Sequence, residues 1–70
     1  MEPHATFARN LRERRRRAGL SQERLAFDAG LHRTEVSLLE RAEREPRLTT
    51  IVRLARGLGC SPSALLDGIE

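Results

Sequence analysis

Seventy residues make one small domain at most, and a chain of that size buries only about 60% of its unfolded surface, so a tight helical bundle, a partner copy or both must support it. Two aromatic residues, Phe7 and Phe27, argue against the stacking of single-stranded nucleic acid, and a single cysteine, Cys60, excludes an intrachain disulfide or a cysteine-rich metal site. The formal net charge is +3 and all thirteen basic residues are Arg, which suits a polyanionic partner, although a GC-rich genome would favour Arg over Lys as well.

After a tail of about residues 1–5, the spacing predicts a first helix over about Thr6–Ala18, with Phe7, Leu11 and Ala18 on one face and Gly19 as its stop. Arg14 to Arg17 fall in its last turns, against the negative end of the helix dipole. Four consecutive positions cover every side of a helix, so one of these arginines must point inward. A second helix begins at Ser21, an N-cap residue, although Arg24 stands where a capping box would place Glu. Leu25, Ala26 and Ala29 form its inner face, and Gly30 ends it. A third helix runs from near His32 to about Arg41, with Val36, Leu39 and Glu40 inward, and Pro46 marks the loop that follows. A fourth, about Thr49–Gly57, offers Ile51, Leu54, Ala55 and Leu58 to the core and closes on Gly57 and Gly59. A fifth opens with Ser61 as N-cap and Pro62 at the first helical position, followed by Leu65 and Leu66. No segment alternates with period two over strand length. The expected fold is all-α, a compact five-helix bundle in a single domain spanning residues 1–70.

The second and third helices read as one helix cut in half. A helix-turn-helix needs a small residue where the helices cross, a residue free to take positive φ at the turn, and an apolar lock. Ala26, Gly30 and the set Leu25, Ala29, Leu31, Val36 and Leu39 meet those demands without a gap. Arg33, Thr34, Ser37 and Leu38 then fall on the side of the third helix opposite Val36, Leu39 and Glu40.

The stretch "GLSQERLAFDAGLHRTEVSLLER" and the trailing pattern P-x-L-x-x-I-x-x-L-A-x-x-L-G resemble the phage repressor/Cro (XRE-type) helix-turn-helix class, the lambda-repressor-like DNA-binding domains. The resemblance spans about residues 7 to 67. Within that class the chain is similar to the short controller proteins of restriction–modification systems. The resemblance implies a sequence-specific, double-stranded DNA-binding transcriptional regulator, repressor or activator, acting as a dimer on a two-fold operator. It implies a bacterial or phage-encoded, nucleoid-associated protein. Residues 1–19 lack the apolar core of a signal peptide, and no apolar run approaches the ~20 residues of a membrane span, so the expected location is the cytoplasm.

The resemblance also assigns roles. The outer face of the third helix would enter the major groove. Arg33 suits a guanine, through O6 and N7, or else a phosphate. Thr34 suits a thymine methyl or a phosphate. Glu35 would accept from cytosine N4, or serve only as a charge near the helix start with Arg33 or Arg24 beside it. Ser37 admits a close backbone, and Leu38 meets a thymine methyl or lies under Arg41. Gln22 matches the family's DNA-backbone anchor, and Arg41, Arg44 and Arg47 are candidate phosphate clamps. Arg15 is the inward arginine, paired with Glu40 and within reach of a phosphate. The sequence departs from the family at Ala42, where Gly is usual. Ala at positive φ costs roughly 1 kcal/mol, unless the loop takes another path. Glu43 and Glu45 dilute the positive charge of that loop.

A dimer seam is expected around Cys60, Pro62, Leu65 and Leu66, with one of the two leucines closing the monomer core instead. His4, His32, Cys60 and the carboxylates form no catalytic or metal-binding set, so no enzyme activity, metal, cofactor or small-molecule effector is expected. An antitoxin-like regulator and a protein-interaction module built on the same fold are the alternatives.

Overall fold

The computed structural model describes all residues 1–70 and contains five helices: α1 (Pro3–Arg17), α2 (Gln22–Ala29), α3 (Arg33–Glu40), α4 (Leu48–Leu58) and α5 (Pro62–Leu65). Phe7 and Leu11 of α1, Leu25, Ala26 and Ala29 of α2, Val36 and Leu39 of α3, Ile51, Leu54 and Ala55 of α4, and Leu65 of α5 form one buried cluster. No helix is long and apolar enough to cross a membrane.

The expected tail of residues 1–5 is not a tail. Pro3 occupies the first turn of α1, where its missing N–H leaves nothing unsatisfied. Glu2 precedes it in an extended conformation, and its carbonyl accepts from the N–H groups of Ala5 (2.9 Å) and Thr6 (3.1 Å). At the other end α1 stops one residue early. Ala18 is an exposed C-cap rather than a core residue. Leu20, past the Gly19 turn, packs on the core in its place. Asn10, buried on α1, donates from Nδ2 to the carbonyls of Leu65 (3.0 Å) and Asp67 (2.8 Å) and so ties α5 to the first helix.

α4 runs one residue further at each end than its spacing predicts, and Gly57 lies inside it rather than closing it. A Cβ at Gly57 would stand 3.2 Å from Leu25 Cδ1 and 3.4 Å from the Ala29 backbone nitrogen. The glycine therefore allows α4 and α2 to approach closely, and Gly59 ends the helix. Leu58 is half-buried at the edge of the core.

Candidate nucleic-acid interface

The geometry of α2 and α3 is set at their junction. Ser21 Oγ accepts from the Arg24 N–H at 3.0 Å and opens α2. At the far end Gly30 takes φ 70°, ψ 34°. There the N–H of Gly30 reaches the Phe27 carbonyl (3.2 Å), and that of Leu31 reaches the Ala26 carbonyl (2.8 Å). The first carbonyls left over at the end of α2 are thus satisfied while the chain reverses. His32 is the N-cap of α3 without a capping side-chain hydrogen bond.

α3 then presents two unlike sides. Val36, Leu39 and Glu40 are buried. Arg33 and Thr34 are exposed, and Glu35, Ser37 and Leu38 are partly exposed. The inner side is anchored at Glu40, whose side chain is 3% exposed. Arg15 donates to it from Nε (2.6 Å to Oε2) and Nη2 (2.9 Å to Oε1). Its third nitrogen, Nη1, donates to the Leu20 carbonyl at 2.9 Å. The hydrogen bond to Glu40 raises the Arg15 pKa above the ordinary guanidinium value, assisted by the carboxylate charge and opposed by burial. Arg15 is thus a brace with every guanidinium nitrogen engaged inside the domain.

Gln22 joins the same cluster, with Nε2 donating to Glu40 Oε1 at 3.2 Å. The expected backbone anchor therefore sits at the start of α2 with part of its amide directed inward. Arg12 belongs here too: its Nη1 donates to the Glu40 carbonyl at 2.6 Å. Sequence reading missed it, because its partner is a main-chain carbonyl 28 residues away, which no local pattern marks.

The remaining cations divide. Arg41 pairs with Glu43 at 3.2 Å on the surface. Arg24 pairs with Asp28, four residues on, and lies 5.7 Å from the Phe27 ring centre. Arg44 and Arg47 form no ion pair within 4.0 Å. Together with Glu35, Glu45 and Arg53 they line an open groove between the starts of α3 and α4. Arg53 was not singled out in the sequence. Ala42, in the loop before this groove, takes φ 58° and is the one non-glycine residue at positive φ. The loop keeps the path a glycine would take, with an alanine in it.

The proposed seam residues also divide. Leu65 is fully buried in the monomer core and so is closed to a partner, which corrects its assignment to the seam. Leu66 is 38% exposed, Pro62 is exposed and Cys60 is half-buried. No group of three His, Cys, Asp or Glu side chains is placed to hold a metal ion.

The chain matches the helix-turn-helix family over residues 11–65. It belongs to that family. Control protein C.BamHI of Bacillus amyloliquefaciens is 40% identical to this helix-turn-helix protein over 62 residues, 87% of this chain and 76% of that one. Control protein C.SmaI of Serratia marcescens is 42% identical over 66 residues, 94% of this chain and 79% of that one. The crystal structure of the restriction-modification controller protein C.AhdI from Aeromonas hydrophila superposes with a TM-score of 0.86 at 44% identity, covering 89% of this chain and 94% of that one.

Proposed function

We propose that this helix-turn-helix protein is a cytoplasmic transcription regulator of the restriction–modification controller class, which binds a two-fold duplex-DNA operator as a homodimer. The observation that carries the reading is the two-sidedness of α3: an inner side locked by Val36, Leu39 and Glu40, and an outer side led by exposed Arg33 and Thr34. A rigid rod with one free polar side is what major-groove reading requires.

Arg33 reads guanine, and Thr34, Ser37 and Leu38 meet neighbouring base edges or thymine methyls. Glu35, on the groove wall beside Arg44 and Arg47, accepts from cytosine N4. Arg44 and Arg47 hold the phosphate backbone, with Arg41 and Gln22 at its margins. One such helix spans too few bases to define a site, so a second copy supplies the other half. Its contact surface is the exposed edge formed by Cys60, Pro62 and Leu66.

The test is a salt titration of binding to duplexes that the full chain selects from a randomised library. Log affinity should fall linearly with log salt, by about 0.9 for each phosphate neutralised. Sedimentation should find two chains per selected duplex. Affinity indifferent to salt, or no duplex selected, would instead favour a protein-interaction module on the same fold.

A further inference from the structure

The last four carbonyls of a helix have no partner within it, and in α3 these belong to Ser37, Leu38, Leu39 and Glu40. The first three are satisfied by the chain just beyond. Ser37 accepts from the Arg41 N–H (3.1 Å), Leu38 from Glu43 (2.9 Å) and Leu39 from Ala42 (3.2 Å). The fourth, on Glu40, receives no backbone donor and accepts instead from Arg12 Nη1 at 2.6 Å. Arg12 has no carboxylate within 4.0 Å, so this carbonyl is its ion-free anchor.

One turn further along α1, Arg15 grips the carboxylate of the same residue. Glu40 is therefore held twice from α1, by its main chain and by its side chain. The two grips hold different atoms of one residue: Arg12 the last carbonyl of α3, and Arg15 its carboxylate. The positive charge of Arg12 is also favourably placed at the negative end of the helix dipole.

We propose that Arg12 is a positioning residue for DNA discrimination: by capping α3 it sets how far Arg33 and Thr34, at the opposite end of the same short helix, project into the groove. The proposal rests on the reading that α3 contacts bases. Sites of this kind work only when held to within about 0.5 Å of the productive geometry, and a loosened cap would let the whole helix shift. Arg12 then governs the preference for one duplex over another, while general attraction to DNA passes through other arginines.

The experiment compares the parent, Arg12→Ala and Arg12→Lys chains on two duplexes, one selected by the parent from a randomised library and one with the same bases scrambled. Helix content is checked by circular dichroism at the assay temperature. Arg12→Ala should lower the affinity ratio between the duplexes about tenfold, the size of one weakened base contact. Its affinity for the scrambled duplex should change by less than about twofold, with the salt slope unchanged. Arg12→Lys, which keeps one charged donor, should recover part of the ratio, and it carries the test if the alanine chain does not fold. A ratio equal to the parent's overturns the proposal. So does a salt slope reduced by about one, which would make Arg12 a phosphate contact, and so does loss of folding in both variants, which would make it purely structural. A parent chain that selects no duplex overturns the DNA reading itself, a failure that does not involve Arg12.

Discussion

Arg15 of α1 and Glu40 of α3 meet as a two-pronged ion pair, at 2.6 and 2.9 Å, with the carboxylate almost wholly removed from water. Breaking such a pair leaves a buried charge without a partner, which costs about 3–5 kcal/mol. Arg15→Ala should therefore lower the melting temperature by about 12 °C or more, at about 4 °C or more per kcal/mol for a domain of this size. The uncharged double variant Arg15→Met/Glu40→Leu should be more stable than Arg15→Ala alone. Because the folded Arg15 pKa is raised, its share of the stability is complete below the ordinary guanidinium value and is lost only as pH rises through the folded one. The thermal shift on Arg15→Ala should accordingly be no larger at neutral pH than in mild alkali. A shift of less than about 4 °C would contradict the brace.

Ala42 holds φ 58° in the loop after α3, a conformation that disfavours any residue with a Cβ by about 1–2 kcal/mol. Part of that gain is offset by the greater unfolded-state freedom of glycine. Ala42→Gly should thus stabilise the fold by about 1 kcal/mol, read as a higher midpoint in urea with an unchanged slope. A lower midpoint would mean that the loop does not follow this path.

Gly57 stands where α4 crosses α2, with the fully buried Leu25 side chain directly above it. Gly57→Val would force methyl groups into space already filled, at about 1–3 kcal/mol or more. Its unfolding midpoint should fall accordingly, while Gly57→Ala, with a single Cβ at 3.2 Å from a side-chain atom and a better helix propensity, should stay within about 1 kcal/mol of the parent. A valine chain as stable as the parent would show that the two helices lie further apart.

The helix-turn-helix was legible in the sequence because each of its demands falls on a different residue type: Ala26 for closeness, Gly30 for the turn, and Leu25, Ala29, Val36 and Leu39 for the lock, all of them placed as expected. What escaped notice lay where local patterns carry no information. The start of α1 at Pro3 depends on Glu2 and Pro3 together acting as a helix opening rather than as a tail. Gly57 looked like a terminator because its use, a close approach to α2, is a tertiary fact. The same holds for Arg12, whose partner is a carbonyl 28 residues away. Leu65 and Leu66 are identical neighbours, and only the packed structure separates the core leucine from the exposed one.

The outer side of α3 as the base-reading surface is the claim on which the functional account depends. The most direct measurement substitutes each base pair of a selected duplex in turn and compares the parent, Arg33→Ala and Arg47→Ala chains. The account predicts that Arg33→Ala loses a preference of about 1–3 kcal/mol at one position in each half-site while keeping the others. Arg47→Ala should weaken every duplex alike and flatten the salt slope by about one. An Arg33→Ala chain that keeps the parent's preference at every position would contradict it.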